Sequence, residues 1–110
     1  MLIAMAGGVP AAGAVEATVG EIARNPPRFA GQPVTVRGTM GTVEFVGGGR
    51  PTLSVFELAG DGARLKILAA VRPACAPGSA VTVEGRFESF RNVEGQTFVN
   101  VVEAIAVLCR

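Results

Sequence analysis

Gly31-Gln32-Pro33-Val34-Thr35-Val36-Arg37-Gly38 returns 47 residues later as Gly78-Ser79-Ala80-Val81-Thr82-Val83-Glu84-Gly85, with Gly, Val, Thr, Val and Gly in matching places. Valine alternating with polar residues is the period of a strand that buries one face, so both octets predict β-strands. The glycine that closes each octet lets a strand bend sharply or approach a neighbour closely. The echo is too short to define a repeat family and marks two strands with one mechanical need.

Outward from the octets the same alternation predicts five strands. The first carries Val34, Val36, Val43 and Phe45, the second Leu53, Val55, Phe56 and Leu58, and the third Leu65 and Ile67. The fourth carries Val81, Val83 and Phe87, and the fifth Val99, Val101, Ile105 and Val107. Turn chemistry separates them at Gly47-Gly48-Gly49-Arg50-Pro51, at Gly60-Asp61-Gly62 and at Asn92 to Gly95. Between the third and fourth strands, Arg72 to Ser79 contains two prolines and no helical period. Ahead of the strands, Thr18 and Glu21 have the spacing of a capping box, with Val19, Ile22 and Ala23 on one face of a two-turn helix. Asn25-Pro26-Pro27 should stop that helix, and Phe29 should plug one end of the core.

The 110 residues suit one domain, and 49% hydrophobic against 17% charged residues is a composition that folds. Ten basic and nine acidic residues leave a formal charge of +1. No overall positive field therefore draws in a polyanion, and any nucleic-acid site must be a local patch. Lys66 is the lone lysine among the basic residues. Arginine suits bidentate contact with phosphate or carboxylate, although the glut of Ala, Gly, Val, Pro and Arg along the chain also follows from a GC-rich genome.

Residues 1–14, MLIAMAGGVPAAGA, carry no charge and end in Ala12-Gly13-Ala14, which matches the small-x-small rule of export signals. The segment is read as a signal cut after Ala14, leaving residues 15–110 as a single domain. The usual positive start is missing, an uncharged tail is the alternative, and the stretch is too short to span a bilayer. Two cysteines, Cys75 and Cys109, are the number one disulfide needs in an oxidising compartment. A bridge would close a loop of roughly 35 residues, worth about 4 kcal/mol in the chain-entropy model; two separate small hydrophobes are the alternative.

The helix signal Val19-Gly20-Glu21-Ile22, the spacer Asn25-Pro26-Pro27-Arg28-Phe29-Ala30-Gly31, the Val34 to Gly38 strand and the Leu58 to Gly62 turn resemble small bacterial oligonucleotide/oligosaccharide-binding (OB) domains. The resemblance is to the exported and nucleic-acid-binding-like branches and covers roughly residues 18–108. It implies an all-β fold: a five-stranded OB Greek-key barrel with a short N-terminal helix and little or no helix between the third and fourth strands. The first and fourth strands would bend at Gly38 and Gly85. Ligand identity is not inherited with such a barrel, whose members bind single-stranded nucleic acid, oligosaccharides, proteins or small ions. The exported OB haem chaperones attach haem through a histidine, and this chain has none.

The missing histidine also leaves Ser54, Ser79 and Ser89 without their usual base. Glu84 and Glu88, with Arg86 between them, read as the solvent face of the fourth strand rather than an acid-base pair. Nothing near Lys66 in sequence suggests the burial that a Schiff-base lysine needs. The glycines at 47–49 lack the Lys-Ser/Thr ending of a phosphate loop.

OB ligands lie across the second and third strands, between the first-to-second and fourth-to-fifth loops. That surface would hold Arg50, Arg64, Lys66, Arg91 and Asn92, with Arg37 extending it and Phe56 or Phe90 stacking a base if it points outward. The expectation is a non-catalytic, exported, periplasmic binding module of the cell envelope whose ligand is a protein, peptide, saccharide or ion. Single-stranded nucleic acid is the alternative ligand. No cofactor, metal or membrane span is expected.

Overall fold

The computed structural model describes residues 13–46, 53–70 and 72–109. Along them run β1 (Val15–Thr18), α1 (Val19–Arg24), α2 (Pro26–Phe29), β2 (Pro33–Met40), β3 (Glu44–Val46), β4 (Leu53–Gly60), β5 (Ala63–Ala69), β6 (Ala80–Val93) and β7 (Gln96–Cys109). The expected export signal lies almost wholly outside the described residues, as does the loop holding Arg50.

The two octets pair with each other. β2 and β6 run antiparallel with Val36 opposite Val83, Val34 opposite Gly85 and Gly38 opposite Val81. The relation continues past the ladder: Gly31 donates to the Phe87 carbonyl and Gly78 to the Met40 carbonyl, each at 2.7 Å. The sequence echo is thus a local two-fold about the Val36–Val83 pair, both fully buried.

From this ribbon the barrel closes. β6 pairs with β7, β7 runs parallel to β5, β5 pairs with β4, and β4 returns to β2 through Ala59 opposite Thr39 and Leu58 opposite Met40. The ring β2-β6-β7-β5-β4 is the five-stranded OB order, with β1 and β3 added at the margins. Alternation turns Phe56, Leu58, Leu65 and Ile67 into one buried cluster with Val36, Val83 and Phe87. The type I′-like positive φ pairs of Asp61-Gly62 and Glu94-Gly95 make the two tight hairpin turns.

Several expectations need correction. The first predicted strand is two, because the chain leaves the ladder at Gly41–Val43 before β3 resumes it. Residues 15–18 form a parallel edge strand beside β2. The first helix does stop at Arg24 with Asn25 as its C-cap, as expected, but Pro26 and Pro27 then occupy the first turn of a further helix, α2, where their missing N–H groups have no helical role. Phe45 and Ile105 are exposed instead of core.

The α1 helix forms as its capping box requires: Glu21 N–H donates to Thr18 Oγ1 at 3.0 Å and Thr18 N–H to Glu21 Oε1 at 2.8 Å. Val19 and Ile22 then reach full burial in the barrel core, with Phe29 of α2 beside them. β2 meets β4 at two positions, and α1, packed chiefly against β5, fills the space where those strands diverge. Arg24 fastens it by donating to the Asp61 carbonyl in the β4–β5 turn at 3.1 Å. Between β5 and β6 the described residues hold no helix; Cys75 packs into the core there and is bonded to Cys109, with Cα atoms 5.4 Å apart.

Candidate functional site

β4 and β5 supply the outer surface on which the OB resemblance places a ligand. With Phe56 and Ile67 inward, Val55 and Leu68 point out, yet both are buried. They form a second apolar cluster with Phe98 and Val101 of β7, flanked by Val46 and Val93. The barrel's own chain therefore covers the apolar part of this surface.

The cover comes from an arm. β6 pairs with β2 only as far as Arg86, and β7 pairs with β5 only over Val101–Ala104. Beyond those points Phe90–Val93 and Gln96–Val99 pair with each other alone, a two-stranded ribbon ending at Glu94-Gly95. Asn100 takes a φ of 54°, in the left-handed region where Asn is more at ease than most residues, between buried Phe98 and buried Val101. On the same ribbon Phe90 lies directly opposite Val99, and they are 61% and 63% exposed.

The residues expected to line one basic stripe sit on β2, β4, β5 and β6. Phe56 is 2% exposed and belongs to the core, so it offers no face to a base. Arg50 lies outside the described residues. Arg91 and Asn92 belong to strand β6 rather than to a loop, opposite Phe98 and Thr97. Arg91 pairs with Glu103 through Nε and also donates to the Asn92 carbonyl, while Asn92 Nδ2 donates to Thr97 Oγ1. Arg64 forms an ion pair with Glu57 at 3.5 Å, and Glu57 also sits opposite Lys66. Glu44, Glu57 and Lys66 share one concavity. Arg37 stands apart, between Thr18 of β1 and Thr82 of β6. Phe90 does point outward, the condition set for its stacking a base, and Arg37, Arg64, Arg91 and Asn92 are exposed as well.

Sequence reasoning passed over two features. Val99 marks the fifth predicted strand, but its partnership with Phe90 needed the register of the arm. Arg72 lies over the exposed Phe45 ring at 5.3 Å, a contact no spacing announces. Among the described residues no helix is long and apolar enough to cross a membrane.

No protein-family model matches the chain, and no curated protein does. Solved structures do match. One, described as an aspartyl-tRNA synthetase of Leishmania major Friedlin, aligns over 97% of this chain with a TM-score of 0.64 at 15% identity. The chain corresponds to 23% of that protein's length. At this identity the likeness concerns the fold and agrees with the barrel order above.

Proposed function

We propose that the protein is a non-catalytic OB-type binding module, exported to the cell envelope, that holds a protein or peptide partner through its β6–β7 arm. The observation that carries the reading is the Phe90–Val99 pair: two large apolar side chains set side by side and open to solvent. Aromatic anchors of this kind dominate the energetics of protein interfaces. Export is supported by the disulfide, which persists in oxidising compartments. Cleavage after Ala14 would also leave β1, which starts at Val15, intact. The ion pairs at Arg64 and Arg91 argue against a continuous cationic track for nucleic acid.

A photo-crosslinking amino acid placed at position 90 or at position 64 in cells tests the reading. Position 90 should yield a protein adduct of discrete mass, lost when Val99 is changed to Ser. Adducts at 64 alone would overturn it. So would binding of a labelled single-stranded oligonucleotide that collapses between low and high salt, the signature of phosphate contacts.

A further inference from the structure

β5 pairs with β7 as far as Ala69 opposite Ala104, and beyond that point the two part. β7 runs on beside β6, while the chain after Ala69 turns away toward Cys75. The Cys75–Cys109 disulfide then ties the two paths together again. Between ladder and bridge they line a trench of about 440 Å³, with Ala70, Pro73 and Ala74 on one wall and Ile105, Ala106 and Val107 on the other. Ile105 is left out of the β6–β7 register, and a bulge of this kind re-aims the side chain it carries. At 76% it is the most exposed large apolar residue among those described. Apolar side chains gathered on one open surface mark a contact site, as scattered ones do not. The one charged residue of the lining is Arg72, which lies over the Phe45 ring and forms no ion pair among the described residues.

We propose that this trench binds a medium-chain fatty acid, with the alkyl chain against the alanines and Ile105 and the carboxylate on Arg72. No carboxylate lines the trench, so its charge attracts an anion and repels a cation. Alanine, proline and aliphatic side chains offer no donor or acceptor, which leaves the hydroxyls of a polar ligand unpaired and suits a plain hydrocarbon chain. The Ile105–Val107 wall is about 10 Å long at strand spacing, the reach of a medium chain rather than a long one. One face of the Arg72 guanidinium rests on Phe45, and the N–H groups around its edge remain to grip a carboxylate in two-pronged fashion. Both walls are fixed, by strand pairing at one end and by a covalent bond at the other, so binding orders little of the protein. The site is separate from the Phe90–Val99 pair and does not depend on the function proposed for the arm.

Amide NMR titrations with octanoate test the proposal, with acetate, octylammonium and 1-octanol as controls that remove the chain, reverse the charge and remove the charge. Octanoate should give saturable shifts centred on the amides of Ala69, Ala70 and Ile105 to Val107. Acetate and octylammonium should not saturate over the same range, and octanol should bind about tenfold more weakly, the worth of one charge-assisted contact. Arg72→Gln should bring octanoate down to the octanol level. Ala74→Leu, at an exposed position, should block the chain and leave the melting temperature unchanged. Phe90→Ser should leave octanoate binding as it is. The proposal is overturned if octanoate does not move these amides, if octylammonium or octanol moves them as readily, or if Arg72→Gln binds octanoate as tightly as the parent.

Discussion

A Cβ on Gly85 would stand 2.1 Å from the carbonyl oxygen of Glu103 and 2.8 Å from the Ala104 Cα. Glu84 pairs with Ala106 while Gly85 pairs with Ala104, so Ile105 is the extra residue of a bulge facing this glycine. The obstacles are backbone, so they cannot rotate away. Gly85→Ala is expected to lower stability by about 2–3 kcal/mol, read as a fall in the urea midpoint. An unchanged midpoint would mean the strands do not approach this closely.

The local two-fold makes Val36 and Val83 equivalent in setting: opposite one another, fully buried and central to the β2–β6 ladder. Truncating either to Ala removes two methyl groups and leaves a small cavity, at a cost of about 2 kcal/mol. The two variants should melt within a few degrees of each other, each about 10 °C below the parent. A large difference between them would deny the equivalence.

Cys75 is buried at the β5–β6 connection and Cys109 lies at the end of β7, 34 residues away in sequence. Reduction frees that closed loop in the unfolded chain, and a loss of about 4 kcal/mol is expected. Denaturant unfolding with and without reductant measures it. Equal midpoints would show that the bond contributes nothing.

The Arg64–Glu57 pair is exposed to solvent on both sides, and such pairs contribute about 0–1 kcal/mol. Changing Arg64 and Lys66 together to Ala should therefore leave the melting temperature within a few degrees and leave crosslinking at position 90 intact. Loss of that crosslinking with the fold retained would move the partner site onto β4 and β5.

The barrel was legible because its strands bury one face, and Val34, Val36, Val81 and Val83 state that period openly. β1 was not, since Val15-Glu16-Ala17-Thr18 has little pattern of its own and becomes a strand by pairing with β2. Phe56 illustrates the same limit from the other side. Val55 and Phe56 are both buried, one outward under Phe98 and one in the barrel, and a run buried on two faces carries no alternation to read. The arm escaped notice because its polar residues, Arg91 and Asn92, imitate a loop. The bend at Gly85 was stated in the residues themselves, whereas two cysteines allowed the disulfide without requiring it. The trench beside Ile105 depends on where β5 and β7 part in space, so no spacing rule could have pointed to it.

Phe98 already sits on the outer surface that β4 and β5 would offer a ligand. Anything seeking that surface must displace the protein's own side chain, so the affinity it experiences is its intrinsic one scaled by the fraction of molecules with the arm lifted. An arm open in about one molecule in a hundred would weaken binding about a hundredfold. For any ligand of that face the chain's own Phe98 would be a competitor, and a partner that gripped Phe90 and lifted the arm would remove it.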